Sequence, residues 1–283
     1  MLEITGKTRQ LALLGNPVSH SLSPQIHNYI SDRLGLDYVY TAMPVDEHNF
    51  KSAIEGVRAL SFAGVNVTSP YKIDAYNSVD VLSDEAKLYG SVNTVVNRNG
   101  ILYGYNTDAE GFYKSLLREG SDVLGKDVLF IGAGGVTKPV MVHFARLGAK
   151  SISIINRTEK KALDIADYVN EVCGFDVQVG ITKKHYDVVI NTTTVGMHPN
   201  VDKCPVDDMP YVDESTTVCD MIYNPERTLF LKMAEKKGAK IVNGLGMLIY
   251  QGLLAYELFT GVKLDYDIYD EILENIFAKQ VKK

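Results

Sequence analysis

The sequence predicts an α/β protein of two domains. Its 283 residues are more than one average core organises, and each half is large enough to bury its own. Short apolar runs alternate with helix-period segments in two separate series, which is the pattern of βαβ units and parallel sheet. In the second series a glycine turn, Gly132-Ala133-Gly134-Gly135, separates an apolar run from a helical stretch. Strand, glycine turn and helix in that order make a phosphate site, because glycines let the backbone approach a pyrophosphate and the helix start favours its charge.

Composition excludes several classes. A net charge of −6 and a pI near 5.6 leave no basic field for nucleic acid or an anionic membrane, so any bound anion needs a local site. No apolar run approaches the roughly 20 residues of a membrane span, and Met1 to Pro17 lacks the basic start and long apolar core of a leader. A cytoplasmic protein is expected. Cys173, Cys204 and Cys219 are too few and scattered for a disulfide framework, and with no clustered His or Cys no metal is expected.

Gln10 to Gly15 reads as the first buried strand. Ser23 then suits an N-cap and Pro24 the first helical position, with Ile26 and Ile30 on one face before Gly35. Ser21 and Ser23 together make a neutral cradle for a small carboxylate. Capping is the competing role for Ser23, whereas Ser21 has no such need. His20 and His27 read as hydrogen-bonded structural histidines. Tyr38 to Met43 is a strand, Asp46 caps a helix that buries Phe50, Ile54 and Val57, and Phe62 to Val67 is the next strand. Its polar end, Asn66 to Lys72, lies at the carboxyl edge where α/β folds place ligands. Ser83 caps Asp84 to Tyr89, and Gly90 to Val96 pairs with Ile101 to Tyr105 about Asn99-Gly100, a hairpin signal. Asp108 follows, either as the N-cap of the helix carrying Phe112 and Leu116 or as a partner for Lys72.

In the second series Val128 to Ile131 is the strand, Val136 to Leu147 the helix, and Ser151 to Ile155 the next strand, ending about 24 residues beyond Gly132. A site for NAD usually carries a carboxylate there for the ribose 2′-OH. This chain has Asn156, Arg157, Thr158 and, one helical turn on, Lys161. An amide, a hydroxyl and two cations suit a 2′-phosphate, so NADP is favoured. Thr137 stands where the fingerprint's third glycine would be, which weakens the case for close packing of this helix on its strand; Pro139 is tolerable in the first turn. Thr158 caps a helix through Cys173, and Val177 to Val179 and Tyr186 to Asn191 are strands. The polar stretch Thr192 to Met197 suits the nicotinamide half of a cofactor or a plain turn. Val218 to Ile222, a helix over Leu229 to Lys237 and Lys240 to Asn243 complete the sheet. A helix beginning near Gly244 carries Gln251, a boundary residue or a ligand, and Tyr266 to Lys279 is the last helix.

The motifs Gly15-Asn16-Pro17-Val18 through Ser21-Leu22-Ser23-Pro24, Asn66-Val67-Thr68 to Lys72, Ser91-Val92-Asn93-Thr94, Gly104 to Asp108, Gly132 to Gly135, Asn156-Arg157-Thr158, Asp220, Tyr223-Asn224-Pro225 and Asn243-Gly244 to Gln251-Gly252 together resemble one family, the shikimate dehydrogenases. The resemblance runs nearly end to end. It implies an N-terminal α/β substrate domain over 1–109, a Rossmann-type NADP-binding domain over 110–244, and C-terminal helices over 245–283 returning to the substrate domain, with the active site in the cleft. It would place shikimate's carboxylate on Ser21 and Ser23 and its hydroxyls on Asn66, Thr68, Lys72, Asn93, Asp108 and Gln251, with Tyr223 also at the substrate. It assigns NADP to Gly132, Ala133, Gly134, Gly135, Asn156, Arg157, Thr158, Lys161, Thr192 and Gly244.

The implied reaction is reversible NADPH-dependent reduction of 3-dehydroshikimate to shikimate, in chorismate and aromatic amino-acid biosynthesis. Lys72 would serve as acid/base or as an electrostatic clamp on the developing alkoxide, and Asp108 would orient it. A quinate/shikimate dehydrogenase using NAD or NADP resembles the chain over the same motifs. From another class stands a non-catalytic NADP-responsive regulator, against which the presence of both Lys72 and Asp108 counts. The expected partner is a small-molecule substrate, and the expected state a monomer or homodimer.

Overall fold

Strand β1 (Arg9–Gly15) founds the first sheet because Leu11 to Gly15 are all buried, as a strand flanked on both sides requires. It pairs in parallel with β2 (Tyr38–Pro44) on one side and β3 (Gly64–Val67) on the other, with α1 (Ser23–Leu34) and α2 (Phe50–Ala59) in the connections. The computed structural model describes residues 3–277. They divide into two compact units, one running to Thr107 and resuming at Leu248, the other Asp108–Met247.

The first unit completes its sheet with β4 (Val81–Leu82), β5 (Thr94–Arg98) and β6 (Ile101–Tyr105), in the order β2-β1-β3-β5-β6-β4. The β5–β6 hairpin turns at Asn99 and Gly100, both at positive φ, as a two-residue turn of this twist demands. Phe50, Ile54 and Val57 pack from α2 onto Val65, Val67 and Tyr71, with Phe50 stacked on Tyr71 at 4.6 Å between centroids. Burying each such side chain contributes about 2 kcal/mol. Helix α9 (Leu245–Thr260) docks through Tyr256, whose hydroxyl meets that of Ser31 at 2.9 Å, and α10 (Ile268–Ile272) through Glu271, which accepts from Tyr29 and Arg33.

The second unit holds β7 (Asp127–Ile131), β8 (Ser151–Ile155), β9 (Val177–Val179), β10 (Val188–Asn191), β11 (Thr217–Asp220) and β12 (Lys240–Val242) in the order β12-β11-β10-β7-β8-β9. Every pair is parallel. The order reverses at β7, so the carboxyl ends of β7 and β10 flank the switch point where such sheets bind ligands. Helices α5 (Asp108–Arg118), α6 (Thr137–Arg146), α7 (Glu159–Cys173) and α8 (Leu229–Glu235) complete the unit.

The expected caps are corrected in several places. Ser23 is the first residue of α1 and makes no cap; the preceding Leu22 is helical, and it is Ser21 Oγ that accepts the Ser23 N–H, at 3.2 Å. Ser21 therefore does have a local task. Asp46 opens a short 3₁₀ turn, Glu47–Asn49, and makes no side-chain cap, because α2 begins only at Phe50. Thr158 precedes α7 without a cap bond, and Asp108 is the first helical residue of α5. Ser83 does cap α4 (Asp84–Tyr89), accepting from Ala86 N at 3.1 Å. Helix α3 (Lys72–Ser78) and strand β4 were not expected. The last helix is shorter: α10 passes into a π-helical turn over Leu273–Phe277, and the expected residues 278–279 lie outside the described ones. Among the described residues no helix is long and apolar enough to cross a membrane, and no group of three or more His, Cys, Asp or Glu could hold a metal ion.

Candidate functional site

The candidate substrate residues of the first unit gather where β3, β5 and β6 pair. Asn66, next to last in β3, is buried, and buried amides need partners. Its Nδ2 donates to the Asn93 carbonyl at 3.2 Å and to Thr94 Oγ1 at 3.0 Å, and its Oδ1 accepts from the Tyr40 hydroxyl at 2.9 Å. Asn93 Oδ1 accepts from the Thr107 N–H at 2.9 Å and from Thr94 Oγ1 at 2.8 Å, and its Nδ2 donates to Thr107 Oγ1 at 3.0 Å. Antiparallel pairing of β3 with β5 and of β5 with β6 thus joins Asn66, Asn93, Thr94 and Thr107 in one rigid network.

Thr68 is held beside β1. Its N–H donates to the Leu14 carbonyl at 2.9 Å, and a Cβ on Gly15 would lie 2.3 Å from Thr68 Cγ2, so this approach requires the glycine. Lys72 opens α3, half-buried, with its carbonyl accepting the Val92 N–H at 3.0 Å. Ser21 and Ser23 are brought together as described, Ser21 half-buried and Ser23 buried. Gln251, half-buried on α9, donates from Nε2 to the Leu248 carbonyl at 2.8 Å. His27 departs from expectation. It is buried and stacked on Tyr40 at 4.1 Å between ring centroids, and neither ring nitrogen has a hydrogen-bond partner among the described residues. Burial lowers its pKa to about 3.

In the second unit β7 ends at Gly132, whose φ of +111° only glycine adopts readily and whose Cβ would lie 2.5 Å from Thr193 Cγ2. Ala133 is half-buried, and Gly134 and Gly135 are exposed. Space above Gly135 is open, since a Cβ there would meet nothing within 4 Å. Helix α6 starts just beyond, at Thr137, with Pro139 third in the helix where its missing N–H is not needed. Thr137 is fully buried and donates to Thr192 Oγ1 at 2.8 Å, while Thr192 donates to the carbonyls of Ile131 and Gly132 at 3.1 Å. The expected loosening of α6 on β7 is corrected: a hydroxyl does the joining where a glycine would have relied on close approach.

At the end of β8, Asn156 Nδ2 donates to the Thr158 carbonyl at 2.8 Å, and Arg157, Thr158 and Lys161 are exposed. Gly244 follows β12 and lies so close to Met221 that an added Cβ would come within 2.2 Å of its carbonyl oxygen. Tyr223 is half-buried, and burial raises its pKa.

Several residues here escaped functional reading. Asp220, at the end of β11, is fully buried and accepts from Thr228 Oγ1 at 2.6 Å, Asn191 Nδ2 at 3.0 Å and the Ile222 N–H at 3.0 Å. Burial nonetheless pushes its carboxyl up to about 6. Asn191 Oδ1 in turn accepts from the N–H and hydroxyl of Thr193, so this cluster shapes the loop after β10. Lys138, second in α6, lies 4.2 Å from the ring centroid of Tyr168, and burial lowers its pKa. Tyr40 gave no signal at all, because a tyrosine in a buried strand reads as core until its hydroxyl partner is known.

Residues 13–95 match the family described as shikimate dehydrogenase substrate binding domain, residues 115–224 the family described as shikimate / quinate 5-dehydrogenase, and residues 244–268 the shikimate 5'-dehydrogenase C-terminal domain. The NADP(+) shikimate dehydrogenase of Caldanaerobacter subterraneus subsp. tengcongensis is 43% identical over 277 residues, spanning 96% of this chain and 99% of that protein. A crystal structure of a shikimate dehydrogenase in complex with NADP+ superposes with a TM-score of 0.91 at 37% identity, covering 96% of this chain and 97% of the other. Shikimate 5-dehydrogenase from Listeria monocytogenes, solved with shikimate and NAD, gives 0.88 at 35% identity, covering 96% and 98%. With likeness of this depth along nearly its whole length, the chain belongs to the shikimate dehydrogenase family.

Proposed function

We propose that this chain catalyses the reversible NADPH-dependent reduction of 3-dehydroshikimate to shikimate, a step of chorismate and aromatic amino-acid biosynthesis. The observation that carries the reading is the chain-long likeness to NADP-dependent shikimate dehydrogenases. The first unit serves as the substrate domain and the second as the nucleotide domain. The second unit suits a dinucleotide: exposed Gly134 and Gly135 with open space above the latter, a helix start behind them, and no carboxylate among Asn156, Arg157 and Thr158 at the end of β8.

NADPH, when bound, supplies the hydride to the C3 carbonyl carbon. Gly132, Ala133, Gly134 and Gly135 hold its pyrophosphate, Asn156, Arg157, Thr158 and Lys161 its 2′-phosphate, and Thr192 and Gly244 flank the nicotinamide half. Ser21 and Ser23 take the substrate carboxylate, while Asn66, Thr68, Asn93, Tyr223 and Gln251 hold the ring and its hydroxyls. Lys72 donates the proton to the C3 oxygen, and its ammonium stabilises charge developing there. Asp108 orients that ammonium. The protein works in the cytoplasm as a monomer or homodimer.

Initial rates with shikimate and with quinate, each against NADP and NAD, test the reading. Strong turnover for shikimate with NADP is expected. Preference for NAD would remove Arg157 and Lys161 as a phosphate clamp, preference for quinate would move the substrate, and NADP binding without turnover in any pair would make the chain a regulator.

A further inference from the structure

We propose that Tyr40 is a positioning residue of the substrate half of this site: its buried hydroxyl fixes the direction in which the Asn66 amide faces. The proposal rests on the assignment of Asn66 to the substrate. Tyr40 lies in the middle of β2 and is 1% exposed. His27 lies parallel to its ring, 4.1 Å between centroids and 5° between planes, so the phenol is held on its face as well as at its tip.

The sense of the hydrogen bonds follows from what each atom can do. Asn66 lies 3.2 Å from the Asn93 carbonyl, an acceptor only, so the amide nitrogen must face it. The amide oxygen then faces Tyr40, and the tyrosine must donate, at 2.9 Å. Its own oxygen keeps only acceptor capacity. Burial pushes the phenol well above the ordinary tyrosine range, so the proton that Asn66 Oδ1 receives is always present. Without that donor the buried amide oxygen is unpaired, and the turned-over amide would set two carbonyl oxygens against each other at Asn93. One hydroxyl therefore ties β2 to the end of β3.

Tyr40→Phe keeps the ring and the His27 stack and removes only the hydroxyl. The expected result is a rise in shikimate KM of about 5- to 20-fold, with NADP KM within about twofold and kcat within about threefold of the parent. The NADP value reports on the second unit, so a general loss of fold would move it too. In an Asn66→Ala background Tyr40→Phe should add less than about twofold, since a residue acting through Asn66 has nothing left to act on. An unchanged shikimate KM, an equal rise in both KM values, or full additivity with Asn66→Ala overturns the proposal. A parent protein that turns over shikimate alongside an unaffected Tyr40→Phe removes only this inference; a parent inactive on shikimate removes the functional reading and this proposal with it.

Discussion

The hydroxyl of Thr137 donates to the hydroxyl of Thr192 at 2.8 Å, which ties the first residue of α6 to the loop leaving β10. Thr192 spends its own proton on the Ile131 and Gly132 carbonyls, so the three meet at the end of β7. Restoring the fingerprint glycine should therefore harm this protein. Thr137→Gly removes a buried hydrogen bond and adds backbone freedom at a helix start, a loss of about 1–2 kcal/mol in denaturant unfolding. NADP KM should rise several-fold as the glycine turn loosens, while Thr137→Ser stays close to the parent in both. Equal stability for the glycine variant would mean that close packing replaces the hydroxyl.

Arg157 and Lys161 are exposed, so such charges contribute little to folding, and in the proposed reading they hold the 2′-phosphate. The pair Arg157→Ala and Lys161→Ala should raise NADP KM about 10- to 100-fold and leave NAD KM within about threefold. The NADP effect should shrink as ionic strength rises, because exposed charges are screened. Parallel rises for both cofactors would place these cations on the pyrophosphate instead of the 2′-phosphate.

Lys72→Ala tests the proposed proton donor. General acid catalysis typically contributes about 10²- to 10⁴-fold, so kcat should fall by that order while shikimate KM moves less than about fivefold. Steady-state rates with both substrates varied make the separation. Near-normal turnover would exclude Lys72 from the chemistry, and a selective rise in KM would make it a binding group.

Strands β6 and β8 were readable residue for residue because punctuation brackets them: Asn99-Gly100 before Ile101, and Gly148 and Asn156 about Ser151–Ile155. Helix α3 was not, since only Ala75 of its seven residues is buried and no apolar stripe marks it. The candidate site divides the same way. Gly132 carries its reason in the sequence, but the Thr137–Thr192 and Tyr40–Asn66 bonds join residues far apart in the chain, and no periodicity encodes which hydroxyl meets which amide. Cap residues misled for a related reason. Ser23 and Asp46 are chemically fit to cap, yet packing begins the helices at other residues, and a propensity yields to that.

His27 predicts how the protein responds to acid. Its nitrogens are buried without hydrogen-bond partners among the described residues, and its pKa is lowered to about 3 by burial between Tyr40, Tyr256 and Phe259. In the unfolded chain an ordinary histidine takes its proton near pH 6.5. Between about pH 6.5 and 3 the unfolded state therefore binds a proton that the folded state refuses, and stability falls as pH falls across that window. The contribution at pH 5 is a loss of about 2 kcal/mol relative to pH 8. Replacement by phenylalanine keeps a flat ring against Tyr40 and removes the titration. The difference in unfolding free energy between parent and His27→Phe should shift in favour of the variant from pH 8 to pH 5, by about that amount. A difference that stays constant across the window would mean that the folded protein admits the proton, and hence that the Tyr40 stack opens to water more readily than its burial implies.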